Sequence, residues 1–260
     1  MPLSQHDTDA SGIATRDRDV NGVKWRRWIA DIHLWLSLAV GLQVLAWMVS
    51  GLFMVSQPIE RVRSEHRLAE TAHTDLAAHG TLVSPDQVLA AVGAPVRRLS
   101  LEIVGDRILY AVETAAERSA LFDAQTGVQV SPIDEPFARQ IVERAIAGDQ
   151  PVARLTLIER DAPIEYRGAL PVWRADFEDG DRLSVYVDAN TGRIVARRSD
   201  LWRVYDFMWS LHIMDYRERE NFNHPFLIAV TALALLMTIA GLVLLTIRLP
   251  GRLRRRLGKI

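Results

Sequence analysis

The chain has 260 residues, with 31 Lys and Arg against 32 Asp and Glu and 49% hydrophobic residues. Its formal net charge of -1 selects no partner by itself, because a basic C-terminal tail is offset elsewhere. The absence of cysteine excludes a disulfide framework, thiolate metal sites and iron–sulfur clusters, so any soluble part must hold together by its core.

Residues 1–23 are polar and aperiodic, and read as a disordered cytoplasmic leader. A first membrane helix is expected over 24–56, built on the charge-free run Ile32–Val55. At roughly 1.5 Å per residue such a run covers about 35 Å, enough to cross a hydrocarbon core. It is too long for a signal peptide and has no small-residue cleavage motif after it. A connector at 57–84 carries His66, His73 and His79, whose spacing fits no zinc motif; all three read as surface residues.

Next comes an internal repeat. Asp123-Ala-Gln-Thr-Gly127 recurs as Asp188-Ala-Asn-Thr-Gly192, 65 positions later. In each, Asp accepts backbone N–H bonds across a turn, Thr supports it, and Gly takes the positive-φ position that closes a hairpin. Upstream of each lies an amphipathic helix opened by proline, at Pro85–Val92 and Pro136–Ile146. Strands are expected at Arg98–Val104, Ile108–Thr114, Ala120–Asp123 and Val128–Val130. The second set is Ala153–Glu159, Pro171–Phe177, Leu183–Asp188 and Arg193–Ala196, with Arg160–Leu170 as an inserted loop. The fold class is α+β: two transmembrane helices bracketing a domain of two helix-plus-antiparallel-meander repeats, 85–132 and 133–199.

An amphipathic helix, Asp200–Arg219 within 200–220, is expected at the membrane interface. Arg203, Asp206, Ser210 and Arg217 fall on one stripe, and Leu201, Tyr205, Met208, Trp209, His212 and Tyr216 fall opposite. A second membrane helix at 224–248 is built on Pro225–Ile247, followed by a basic tail at 249–260. Ser37 and Gly41 on the first span, with Thr231, Ala234, Thr238 and Gly241 on the second, are small residues at spacings that allow close helix approach. Lys24, Arg26 and Arg27 precede the first span; Arg248, Arg252, Arg254, Arg255, Arg256 and Lys259 follow the second. Basic flanks stay in the cytoplasm, so both termini should be inside the bacterial inner membrane and the central domain periplasmic. Topology and contact with anionic lipid account for the basic tail without nucleic acid.

The duplicated helix–meander ending in D-x-x-T-G, bracketed by membrane helices, resembles the PepSY and PepSY-associated transmembrane-helix proteins of bacteria over about residues 24–248. Trp25-Arg-Arg-Trp28, Asp206-Phe-Met-Trp-Ser-Leu-His-Ile-Met-Asp-Tyr216 and a Gly near the end of the second span carry the resemblance further. It implies an accessory or electron-transfer subunit of an envelope redox or iron (siderophore) uptake system, which can bind haem b through membrane histidines. The relatives with that role have four spans, not two. The other reading is a non-catalytic periplasmic binding or regulatory module, peptidase-inhibitor-like, with no cofactor.

Under the haem reading the candidate ligands are His212, His224 and His33. His212, mid-way on the apolar face, is either a ligand or a buried histidine bonded to backbone, Asp206 or Asp215. His224 is either a ligand or, with Asn221 and Asn223, a cap of the second span. His33 is either functional or a polar residue at the inner interface. It stands about 30 Å from the other two along the helix, so one iron cannot take both. A bis-histidine site needs His212 with His224, against Met48, Phe53 and Met54, or else a homodimer or a partner membrane subunit. No nucleophile elbow, P-loop or dinucleotide fingerprint is present and no metal site is expected, so enzyme activity in the central domain is not expected.

Overall fold

The computed structural model describes residues 10–69, 80–148 and 150–257. The first nine residues, His73 and His79 lie outside the described residues. The chain divides into two compact units, residues 53–208 and residues 1–52 with 209–260.

In the first of these, helix α2 (Ile59–Val62) and a 3-10 turn at Glu65–Arg67 lead to an extended segment and helix α3 (Pro85–Val92). Pro85 opens α3, where a missing N–H costs nothing, and Gly93 closes it at φ 62°. Strands β1 (Val96–Val104), β2 (Arg107–Thr114) and β3 (Ser119–Asp123) form an antiparallel sheet in sequence order. Helix α4 (Glu135–Ala145) follows, its Asp134 cap accepting from Phe137 N at 3.1 Å. Strands β4 (Arg154–Ile158), β5 (Val172–Asp176), β6 (Ser184–Asp188) and β7 (Ile194–Arg198) make a second antiparallel meander. Every expected strand forms except Val128–Val130, which makes only an isolated bridge from Gln129 to Phe122.

The two turns are alike atom for atom. Asp123 Oδ1 accepts from Gln125 N, Thr126 N and Thr126 Oγ1 at 3.0, 2.8 and 3.0 Å. Asp188 Oδ1 accepts from Asn190 N, Thr191 N and Thr191 Oγ1 at 2.9, 2.8 and 3.0 Å. Gly127 (φ 74°) and Gly192 (φ 63°) each donate back to the Asp carbonyl.

Their surroundings differ, because both sheets share one core. Phe137, Ala138, Ile141 and Val142 of α4 pack in a single cluster with Val104, Leu109 and Leu121 of the first sheet and Trp173, Ala175, Val185 and Val187 of the second. Val88 of α3 joins Ile108, Tyr110, Val112 and Phe122 in a smaller cluster. The second turn reaches the large core: a Cβ on Gly192 would stand 2.7 Å from Val104 Cγ1, whereas one on Gly127 meets nothing closer than 3.8 Å.

The other unit holds helix α1 (Ala10–Ser56), the end of helix α5 (Asp200–Ile213) and helix α6 (Pro225–Leu257). α1 begins at Ala10, so 10–23 are helical where an unstructured leader was expected, and α6 extends into the basic tail. Asp31–Ser56 and Pro225–Val243 are long and apolar enough to cross a membrane. Their large apolar residues, Leu34, Leu38, Leu42 and Leu45 on α1 and Leu235, Leu236 and Ile239 on α6, are exposed. That pattern suits lipid rather than water. The small-residue expectation holds for Ala234, which is buried, and is corrected for Gly41 and Gly241, which have nothing within 4 Å of an added Cβ; on α1 the buried positions among the described residues are Val40 and Ser50.

The expected helix Asp200–Arg219 stops at Ile213, because Met214 turns to φ 57°. Its faces are also reversed relative to the ordinary amphipathic expectation: Asp206, Ser210 and Ile213 are buried, while Val204 and Phe207 are exposed.

The unequal turns give a direct test. Gly192→Ala combines left-handed strain with overlap on Val104 and should cost about 2–4 kcal/mol. Gly127→Ala meets the strain alone and should cost about 1–2 kcal/mol. Urea unfolding of the full-length protein in detergent, followed by tryptophan fluorescence, reads both values.

Candidate functional site

Within the membrane unit the polar residues of α1 follow helical spacing. Gln43, Trp47 and Ser50 fall at steps of four and three, on one side. Ser50 is fully buried, and its Oγ donates to Ala46 O at 2.8 Å, with Trp47 O at 3.2 Å. His212 Nδ1 lies 3.0 Å from the same Oγ. The hydroxyl has one proton and spends it on the Ala46 carbonyl, so Oγ accepts from His212 Nδ1–H. The imidazole lone pair is then on Nε2, which makes no hydrogen bond among the described residues.

His212 thus bonds neither Asp206 nor Asp215, the two partners expected from sequence. Asp206 is paired with Arg167 at 3.2 Å. Asp215 is consumed by its own loop: Oδ1 accepts from Arg217 N and Glu218 N, and Oδ2 from Glu220 N and Asn221 N, at 3.1–3.2 Å. Desolvation pushes its carboxyl up, but the four backbone N–H bonds together outweigh it and hold the group below the ordinary range.

His224 uses both ring nitrogens. Nε2–H donates to Ile213 O at 3.1 Å, and Nδ1 accepts from Leu227 N at 3.2 Å. It therefore caps α6 and ties it to the end of α5; Asn221 instead bonds Asn223 N at 3.0 Å within the loop. His33 is exposed on α1. Met48, 68% exposed, points away from the buried Ser50 side, so the apolar wall expected at His212 does not include it. The three candidate histidines are not brought to one centre: His212 meets Ser50, His224 caps a helix, and His33 faces outward.

The tightest polar cluster of the other unit was missed from sequence. Glu165, on the inserted loop, receives Arg203 Nε at 2.8 Å and Tyr186 Oη at 2.7 Å. Arg198 Nε donates to the Glu165 carbonyl at 2.7 Å, and Arg203 Nη2 to Ser184 Oγ at 3.0 Å. Tyr166 stacks on Tyr186 with ring centroids 4.7 Å apart. Burial pushes the Glu165 carboxyl up, but the bonds from Arg203 and Tyr186 outweigh it and hold the group below the ordinary range. Burial and the Glu165 bond push the Tyr186 phenol up. A carboxylate held ionised and a phenol held protonated do not exchange protons near neutral pH, so the cluster clamps the loop rather than acting as acid and base. The available signal was composition: an 11-residue insertion, 160–170, that carries two arginines and two acidic residues has to put that charge somewhere. Among the described residues no group of three or more His, Asp or Glu is placed to hold a metal ion.

Two apolar spanning helices and a mixed helix-and-sheet domain define a membrane-anchored α+β protein. The chain matches the PepSY-associated TM region family over residues 30–259 and belongs to it. No curated protein and no solved structure matches it.

The depressed Glu165 value fixes a sign. Its contribution is fully present above the unfolded carboxylate value and is lost as pH falls through the lower folded one. The wild-type protein should lose stability below about pH 4.5 in part through this group. Glu165→Gln should be less stable at pH 7, by about 2–4 kcal/mol, because Arg203 loses a buried partner. The gap should narrow in acid; urea midpoints at pH 7 and in acid measure it.

Proposed function

We propose that the chain is an inner-membrane-anchored PepSY protein whose termini are cytoplasmic and whose central domain, two PepSY-like repeats, is periplasmic. It acts as an accessory or electron-transfer subunit of an envelope redox or iron (siderophore) uptake system. The observation that carries the reading is the Ser50–His212 bond, which fixes the imidazole by Nδ1 and leaves Nε2 available. A ligating histidine is normally oriented in this way by a hydrogen bond on its other nitrogen.

Of the three candidate histidines, His212 is the one that would hold haem b, through Nε2. His224 would have to release the α6 cap to ligate, and His33 is exposed elsewhere on α1. The second ligand therefore comes from a partner membrane subunit or a second copy of the chain. Haem b, when bound, supplies one-electron transfer. What this chain contributes is a buried hydroxyl that orients the ring through Nδ1 and leaves Nε2 without a hydrogen bond among the described residues.

The second reading, a cofactor-free binding or regulatory module for a periplasmic protein, is favoured by the Glu165 clamp and by the absence of an acid–base pair among the described clusters.

An absorbance spectrum of protein purified after haem-replete expression separates the two. A Soret band lost in His212→Ala and weakened in Ser50→Ala, with the exported domain still folded, is the expected outcome. A flat visible spectrum for the wild type, purified with its membrane partners retained, sinks the haem reading. For topology, a periplasm-active reporter fused after Ile260 should be silent; activity there would reverse the orientation.

A further inference from the structure

The outer edge of the first sheet is left open. Strand β1 keeps a regular register with β2 from Arg98 to Val104, and a bulge breaks it only between Val96 and Arg98. Ala124 N donates to Ile108 O at 3.0 Å, so Ile108 turns its main chain toward β3. Main-chain direction alternates along a strand. Ile103, Leu101 and Leu99, standing opposite Ile108, Tyr110 and Val112, therefore turn their N–H and C=O groups away from β2. No turn or loop bond reaches those groups among the described residues. The edge at β3 differs: Val130 N donates to Leu121 O and Asp123 N to Val128 O, both at 2.8 Å, and the segment covers it. An uncovered run of main-chain groups is a template for another strand, and β1 carries neither proline nor lysine to discourage one.

The side chains of β1 identify the strand that fits. On one face Leu99 and Leu101 pack against the α3 cluster. On the other, Arg98, Ser100 and Glu102 border an open hollow with Thr191 and Arg193. Arg98 makes no hydrogen bond or ion pair among the described residues. Glu102 Oε1 receives Ser100 Oγ at 2.8 Å and Arg193 Nη2 at 2.6 Å, while Oε2 has no bond among the described residues. A free guanidinium and a half-used carboxylate thus stand on one face, two positions to either side of Ser100.

We infer that two copies of the chain pair their β1 strands antiparallel about Ser100, joining two three-stranded sheets into one. Leu99 then stands opposite the partner's Leu101 and exchanges main-chain hydrogen bonds with it. Arg98 stands opposite the partner's Glu102 in a non-hydrogen-bonded pair, where Cα atoms approach to about 4.5 Å. Two-fold symmetry repeats both contacts. The neighbouring register that the outward main chains allow, centred on Leu101, sets Arg98 against Val104 and leaves the charges unmatched. The pairing stands apart from the haem reading, and its test needs no haem.

The lack of native cysteine makes the pairing readable in the full-length protein. Ser100 faces the partner's Ser100 at a Cα separation that a disulfide can bridge. Ser100→Cys, oxidised in detergent, should give a covalent dimer, and Ser119→Cys, exposed on β3, should not. Light scattering of the wild type should give twice the chain mass. Arg98→Glu and Glu102→Arg each set like charges against each other at both contacts, and should weaken pairing by about tenfold or more. An equimolar mixture of these two variants restores both opposite-charge pairs and should recover the dimer. A monomeric wild type overturns the proposal, as does a dimer that Ser100→Cys fails to cross-link or that Arg98→Glu leaves intact. Glu102→Arg also removes the Arg193 bond, so both variants are melted first; folded variants that fail to recover the dimer on mixing overturn it too.

Discussion

The organisation of residues 53–208 depends on the burial of α4 in a core that both sheets share. Phe137 and Ile141 of the helix lie in one cluster with Val104 and Leu121 of the first sheet and Trp173 and Val185 of the second. Burial of aromatic and branched side chains is worth about 1.5–3 kcal/mol each, so removing either sheet would strip the helix of much of its support. Trp173 adds a directional element, donating from Nε1 to Ile133 O at 2.9 Å just before α4 begins. The turn at Gly192 is carried into the same core, which is why a motif that looks like simple surface punctuation has a packing role in its second occurrence.

The membrane unit answers to a different constraint. In hydrocarbon a polar side chain has no water to fall back on, so a partner within the protein is strongly favoured, although Gln43 Nε2 and Trp47 Nε1 are buried without one among the described residues. Ser50 meets this by bonding its own helix and His212, Thr238 by donating to Ala234 O at 2.8 Å, and His224 by engaging a donor and an acceptor at once. The connection from 214 to 224 is ordered by the same economy, with one carboxylate, Asp215, receiving four backbone N–H groups.

Short-range residue patterns were a reliable guide to local structure. Both spans, α3, α4 and seven strands were legible, because apolar periodicity, proline at helix starts and the D-x-x-T-G turns act within a few residues. What was not legible depended on distant partners. The helical stripe of α5 could be drawn from the sequence, but which side would be covered was decided by Glu165 and Arg167, some 40 residues upstream. Ser50 as the partner of His212 lies 162 positions away. The end of α5 was also misjudged, since Met214 adopts a left-handed conformation that its residue type gives no reason to expect. At the spans, a rule about small residues pointed to Gly41 and Gly241, yet a glycine facing lipid and a glycine in a seam have the same letter.

The two D-x-x-T-G turns also differ in what they leave open to sequence drift. In each, the third and fourth residues and the Gly all bond the Asp, and the second residue, Ala124 or Ala189, is fully buried. At the first turn, Gln125 and Thr126 are exposed and Gly127 has room beside it. At the second, Gly192 is wedged against Val104, Ile141 and Leu121. Two stretches nearly identical as text are therefore unequal in tolerance: the first leaves room beside its glycine, and the second is a keystone.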